Sequence, residues 1–292
     1  MYIKSPIFYM GNKYDLLENL FIHFPKKEEE LIFIDLFGGS GVVSVNSPYQ
    51  NVIYNELKDT TFKLFKMFAT ENSENIIKKI EDNIEKFSLK AKQKTYYDFR
   101  EYANKTKNVI DLYNISFYSF CNIIRTNSNG EINIPVGNCK YIKGEHDINI
   151  KLFIDKIKQK KILLKNENAF DILKKIKKEE KVFIYLDPPY SNTNAIYNEK
   201  NSGGWSIEED LLLFKELERI DKLGIKWAMS NVLKNKGKHN KHLEEWANKN
   251  NFKIISFDDK NYASLGKGNA KTQEVLIINY TPPFEQLSLF DI

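Results

Sequence analysis

Four consecutive residues, Asp187-Pro188-Pro189-Tyr190, combine a carboxylate, two rigid backbone positions and a flat phenol. Each proline fixes φ and supplies no N–H donor, so the carbonyls there are available as acceptors. A carboxylate and a neighbouring carbonyl can accept both hydrogens of one NH₂ group, which turns the nitrogen lone pair towards an electrophile. Tyr190 offers a face on which a planar ring can stack. This set suits methylation of an amino-bearing base, and such a base must first leave a duplex. Far upstream lie Asp35-Leu36-Phe37-Gly38-Gly39-Ser40-Gly41 and, beyond them, Glu56. Glycines let backbone approach a ligand closely, and a carboxylate at the tip of the next strand can accept both ribose hydroxyls. These two features describe a nucleoside site. By themselves they fit S-adenosylmethionine and a dinucleotide alike, since Gly39 to Ser44 also resembles a degraded G-x-G-x-x-G.

Such residues need strand ends to hold them. The apolar run from Leu31 to Phe37 reads as a buried strand feeding the glycine turn, with a helix starting over Val42 to Val45. Asn51 to Glu56 reads as a second strand, and Val182 to Leu186 as a third that ends on Asp187. Ile225 to Ser230 and Glu274 to Asn279 supply later strands. Strands joined by crossover helices predict a parallel, doubly wound α/β sheet. Residues 60–120 differ: they contain no Pro or Gly, and Ile76, Ile77, Ile80, Ile84 and Phe87 recur at helical spacing. Asn127-Ser128-Asn129-Gly130 is a turn signal, and the alternating Ile132 and Ile134 after it predict a β-hairpin.

The length of 292 residues accommodates one large α/β domain and a smaller one. The net charge of +5 is modest, but residues 117–165 hold nine Lys and Arg against four Asp and Glu. A local basic stretch suits a polyanion, and its alternative is a solvated helix face. Cys121 and Cys139 lack metal-ligand spacing, which predicts a reduced, cytoplasmic protein without disulfides. No apolar run approaches the roughly 18–20 residues of a membrane span, and Met1 to Pro6 does not read as a signal peptide. His23, His146, His239 and His242 are scattered; the last two fall at i, i+3 of an expected helix and read as surface residues. No metal is expected, because methyl transfer from a sulfonium needs no Lewis acid.

Taken together, these motifs resemble those of the Dam-type (alpha-class, D12) adenine-N6 DNA methyltransferases, the spacing being most similar to the bacteriophage members. The likeness runs from about Phe8 to Tyr280. Tyr9-Met10-Gly11-Asn12-Lys13 matches the family's opening cofactor segment, Asp35 to Gly41 its D/E-x-F-x-G-x-G motif, and Asn55-Glu56-Leu57 its ribose-binding segment. Phe170 stands where the family places a wall for the cofactor adenine. Asp187 to Tyr190 is its DPPY, and Ser230-Asn231 and Gln273-Glu274-Val275 resemble later framework motifs. Arg125, Asn127, Gly130, Asn133, Pro135 and Gly137 follow the family's R-x-N-x-x-G-x-x-N-x-P-x-G hairpin, in which the arginine reads a guanine, and Asn122 in the segment leading into it is a further candidate DNA contact. Members specific for GATC usually carry a basic residue straight after the hairpin glycine. Here Asn138 and Cys139 follow it, with Lys140 next, and Phe8 precedes Tyr9.

The resemblance implies a Rossmann-like class I methyltransferase sheet with a helical and β-hairpin insertion for DNA recognition. Residues 1–59 and 166–281 would form the S-adenosyl-L-methionine-binding catalytic domain, and 60–165 the recognition region. The cofactor residues would be Tyr9, Gly11, Lys13, Asp35, Phe37, Gly38, Gly39, Ser40, Gly41, Glu56, Leu57, Phe170 and Asp187. It further implies a monomer acting on double-stranded DNA at GATC or a related site. A dinucleotide oxidoreductase leaves DPPY unexplained. RNA and protein N-methyltransferases usually place D/N-P-P-Y nearer the glycine motif, and cytosine-N4 enzymes usually begin it with Ser. A non-catalytic DNA-binding protein would not need the complete motif set. Residues 282–292 read as a tail in which Gln286-Leu287-Ser288-Leu289-Phe290 resembles the bacterial sliding-clamp-binding box.

Overall fold

The computed structural model describes residues 1–89, 93–127, 129–191, 205–235, 238–257 and 272–283. Its strands are β1 (Ile32–Asp35), β2 (Asn51–Asn55), β3 (Lys161–Lys165), β4 (Val182–Leu186), β5 (Lys226–Asn235), β6 (Lys238–His239), β7 (Lys253–Ser256) and β8 (Thr272–Ile278). The α-helices are α1 (Leu17–Phe21), α2 (Val42–Asn46), α3 (Asp59–Thr70), α4 (Ser73–Phe87), α5 (Gln93–Thr106), α6 (Val109–Ser116), α7 (Glu145–Lys158), α8 (Ala169–Lys175), α9 (Ile207–Lys222) and α10 (Lys241–Lys249). They form two compact units. One comprises Met1–Tyr14, Gly39–Asn46 and Lys58–Asn166, the other Asp15–Gly38, Ser47–Leu57 and Glu167–Ile292.

The second unit is an α/β sheet of the Rossmann-like kind expected. Its strands run β2-β1-β4-β5-β8-β7, with β6 added to β5. Pairings from β2 to β5 are parallel, while β8 is antiparallel to both β5 and β7. All five residues of β4 are buried. A central parallel strand covered on both faces needs such an unbroken apolar run. Alternation along the strands then sorts two cores. Ile34, Leu36, Ile184, Leu186, Trp227 and Met229 pack with Leu213, Phe214 and Leu217 of α9 and Trp246 of α10. Phe33, Phe183 and Tyr185 face the other way onto Phe24, Tyr49 and Tyr280, with Phe24 and Phe183 centroids 4.9 Å apart. A capping box starts α9: Ser206 Oγ accepts the Glu209 N–H, and the Glu209 carboxylate accepts the Ser206 N–H.

Helices α3 to α7 dominate the first unit. On α4, Ile76, Ile80 and Ile84 make one buried stripe at i, i+4, i+8, and Phe87 lies half-buried against Phe99 and Tyr102. Residues 1–14 and 39–46 group with these helices rather than with the sheet. Polar ties join these two segments to each other. The Asn46 amide exchanges hydrogen bonds with both backbone groups of Ile3, and Ser5 Oγ donates to the Ser40 carbonyl.

His239 does not share a helix with His242. It lies in β6, before Asn240, whose side chain caps α10 by accepting the Leu243 N–H. His239 contacts Glu244 at 3.1 Å, and His242 lies against Asp210.

Candidate active site

Three neighbouring parallel strands of the sheet unit deliver their carboxyl ends side by side. Asp35 is level with Tyr54 on one side and with Tyr185 on the other. Past the strands, the Leu36 N–H donates to the Tyr185 carbonyl (3.0 Å) and the Gly38 N–H to the Asn55 carbonyl (2.7 Å). Asp35 to Gly38, Asn55 to Glu56 and Asp187 to Tyr190 therefore leave one edge of the sheet together, where ligands of open α/β sheets bind. A Cβ on Gly38 would come within 2.3 Å of the Tyr54 ring. Glycine is what lets the chain turn against that ring.

The side chain of Asn55 secures this edge. Its NH₂ donates to the Leu36 carbonyl (3.0 Å) and the Glu167 carbonyl (3.1 Å), and its oxygen accepts the Glu167 N–H (3.0 Å). One amide thus sets the turn after β1, the end of β2 and the approach to α8. Glu56, the next residue, is buried, as is Asp35, whereas Leu57 is exposed. Buried carboxylates at strand tips suit hydroxyl or ammonium donors, since ionised acids are acceptors only.

Phe170 lies in the first turn of α8, behind the Asn168 cap. Its half-buried ring stacks on Trp205, with centroids 6.1 Å apart and planes 6° apart, and Phe37 meets the same indole edge-on at 5.6 Å. Trp205 was not among the expected site residues. A lone tryptophan before a helix cap carries no spacing signal.

In the Asp187 turn, Pro188 is buried and Asp187, Pro189 and Tyr190 are half-buried. The Tyr190 hydroxyl donates to Asp187 Oδ1 at 2.6 Å, which orients the carboxylate. Burial, reinforced by the Asp187 charge, holds the Tyr190 phenol well above its ordinary pKa. Below it, buried Tyr185 shares a 2.7 Å hydrogen bond with Ser230 of β5 and is likewise raised, by burial first and then by Asp187.

The helical unit holds the remaining expected residues. The Lys13 side chain is buried, and its ammonium donates to the Gly11 carbonyl (2.9 Å). Tyr9 packs where a Gly39 Cβ would point. Gly41 has φ +73°, and a Cβ there would meet Phe65 of α3 at 2.1 Å, so both conformation and space demand glycine.

The hairpin is present, held by bridges Ser119↔Val136 and Thr126↔Ile132. Its turn is ordered by Asn127, whose Oδ1 accepts the Asn129 and Glu131 N–H groups. Ile132 and Ile134 are buried, while Glu131, Asn133, Pro135 and Lys140 are exposed. Arg125 donates from Nε to Asn133 Oδ1 (3.0 Å) and from Nη2 to the Asn133 carbonyl (3.4 Å). The outer Nη edge still carries donors in fork geometry. The Asn122 NH₂ is engaged by the Ser116 and Phe117 carbonyls, which leaves its oxygen. Helix α5 fastens the hairpin from one face. The Tyr96 hydroxyl and Arg100 Nη1 donate to the Ile134 carbonyl (3.0 and 3.1 Å). Asn104 donates to the Ile132 carbonyl (3.2 Å) and accepts its N–H (2.7 Å). Positions 96, 100 and 104 form one helical stripe. Their pattern reads as an ordinary polar face, so the sequence alone did not single them out.

Among the described residues, no group of three or more His, Cys, Asp or Glu could hold a metal ion, and no helix is long and apolar enough to cross a membrane. Residues 286–290 of the tail motif lie outside the described residues.

The profile of the family described as D12 class N6 adenine-specific DNA methyltransferase matches residues 9–262. Modification methylase StsI of Streptococcus sanguinis is 32% identical over 287 residues, covering 96% of this chain and 43% of its own length. Type II methyltransferase M.FokI of Planomicrobium okeanokoites is 32% identical over 284 residues, with 96% and 43% covered. The DNA adenine methylase of Escherichia coli K12 is 23% identical over 285 residues, with 93% of each chain covered. The chain thus spans less than half the length of the first two relatives and nearly all of the third. With the profile spanning most of its residues, the chain belongs to the D12 class N6 adenine-specific DNA methyltransferases.

Proposed function

We propose that this chain transfers a methyl group from S-adenosyl-L-methionine to N6 of an adenine flipped out of double-stranded DNA. The carrying observation is the Asp187–Tyr190 turn at the same sheet edge as Asp35 and Glu56. The residues fit the cofactor chemically. Glu56 is a buried acceptor for ribose hydroxyls, Phe170 backed by Trp205 is an apolar wall for adenine, and the glycine turn from Gly38 to Gly41 lets backbone approach. Asp35, Phe37, Ser40 and Leu57, with Tyr9, Gly11 and Lys13, complete the proposed cofactor set. When bound, the cofactor supplies an electrophilic sulfonium methyl.

Asp187 and the Pro188 carbonyl accept the two N6 hydrogens and expose the nitrogen lone pair. Tyr190 holds Asp187 Oδ1 and presents its ring to the flipped base. Transfer is direct, with no residue serving as a covalent nucleophile, and positioning supplies much of the acceleration. Arg125, with Asn122, Asn127, Asn133, Pro135 and Lys140, reads or clamps the DNA around the target, a GATC or related site. Long-read sequencing of DNA methylated by the purified protein tests this reading: N6-methyladenine in one short motif is expected, and N4-methylcytosine would refute it.

For the tail we propose docking of Gln286, Leu287, Leu289 and Phe290 in the apolar groove of a bacterial β sliding clamp, which would raise the local enzyme concentration on new DNA. Support is the match of Gln286-Leu287-Ser288-Leu289-Phe290 to the clamp-binding pattern. The double variant Leu289→Ala/Phe290→Ala should lose clamp binding and methylate short oligonucleotides normally. Loss of stability in that variant would instead make the tail part of the folded core.

A further inference from the structure

Helix α9 opens with three acids, Glu208, Glu209 and Asp210, of which only Asp210 is buried, at 2% exposure. Acids in a first helical turn ordinarily favour the helix dipole from the surface. Asp210 instead points inward and gathers three donors. Its Oδ1 accepts the Trp205 indole N–H at 2.7 Å, and its Oδ2 is approached by the Ser191 hydroxyl and by His242 Nε2, the latter at 3.1 Å. Burying a carboxylate this deeply is unfavourable unless its lone pairs are occupied.

Two of those partners border the proposed chemistry. Ser191 directly follows Tyr190, and Tyr190 is bonded to Asp187. Trp205 is the indole that backs both Phe170 and Phe37. One carboxylate therefore fastens the far side of the amine-holding turn and the ring behind the proposed cofactor wall. We propose that Asp210 is a positioning residue for methyl transfer: through Trp205 it fixes the wall against which the cofactor adenine lies, and through Ser191 it holds the Asp187–Tyr190 turn in place beside that wall. The inference rests on the methyltransferase reading above.

The two arms make separable predictions. Trp205→Phe keeps a ring and deletes the N–H; it should weaken S-adenosylhomocysteine binding about three- to tenfold and leave the single-turnover rate constant nearly unchanged. Ser191→Ala should do the reverse, slowing single turnover about three- to tenfold with little change in that affinity. Asp210→Ala should move both constants by about tenfold or more. Asp210→Asn should recover most of the affinity, because its oxygen can still accept the indole N–H while its amide can donate to neutral His242 or to Ser191. A purely structural role would lower the unfolding midpoint without splitting the two constants. If Asp210→Ala does not fold, the Trp205→Phe and Ser191→Ala pair decides, and equal effects of both variants on both constants overturn the inference. Wild-type constants in a folded Asp210→Ala protein overturn it too. A wild-type protein that binds no S-adenosylhomocysteine overturns the methyltransferase reading instead.

Discussion

The Asp187–Tyr190 turn leaves a strand whose five residues are all buried, whereas the 119–137 hairpin hangs on two isolated bridges and the side chains of one helix. In the turn, proline stiffness and the sheet determine where the carboxylate lies, and one phenol trims its orientation. In the hairpin, Tyr96, Arg100 and Asn104 do the work that a third strand would do in a sheet, and each can be altered singly. A site that aligns a reacting nitrogen needs fixed geometry. A hairpin proposed to read DNA gains from supports that can change independently of the chemistry.

That contrast can be tested by uncoupling the two regions. Asp187→Ala should produce the largest effect, a loss of methyl transfer of roughly 10²–10³-fold or more, with S-adenosylhomocysteine affinity largely kept; the scale is that of removing a key electrostatic group from an active site. Near-normal turnover would end the assignment of this turn. Arg125→Ala should cost about 1–3 kcal/mol of discrimination at a single base position, measured by competing oligonucleotides that differ at that position. Uniform weakening on every sequence would make Arg125 a phosphate contact. Asn104→Ala should have the smallest effect. It removes both bonds to the Ile132 backbone, about 1–2 kcal/mol in urea unfolding, and should relax sequence choice while cofactor affinity stays the same. A matching fall in cofactor affinity would show that the two regions are not supported separately.

Much of this was legible beforehand because the relevant signals are local. Val182 to Leu186 and Leu31 to Phe37 announce strands by unbroken apolar runs, and Asn127 to Gly130 announces its turn through residues that tolerate tight backbone. The parallel pairing of β2, β1, β4 and β5 follows the doubly wound sheet expected from the strand runs, whereas the antiparallel course of β8 carries no local signal. Other features were hidden because they depend on burial or on partners distant in sequence. Asp210 is indistinguishable in type from Glu208 and Glu209 until the helix is oriented. Trp205 and Phe170 meet only after the chain has passed through β4. In the sequence Asn55 is only the neighbour of Glu56, yet its amide ties three segments together. His239 and His242 had helical spacing, but a cap at Asn240 separates them.

The parallel pairing of β1 with β4 sets Ile32 beside Val182, so the ladder closes across the whole helical insertion. Closure entropy rises only slowly with loop length, about 0.6 kcal/mol per doubling, so the long excursion detracts little from final stability. Its penalty falls on speed, because non-local parallel pairing is slow to find. The β1–β2 pair can form from residues close in sequence, while the strand that carries Asp187 must wait for the intervening chain to be made. During synthesis the nucleoside half of the proposed site would therefore precede the amine-holding half, and catalytic competence would arrive among the last events of folding.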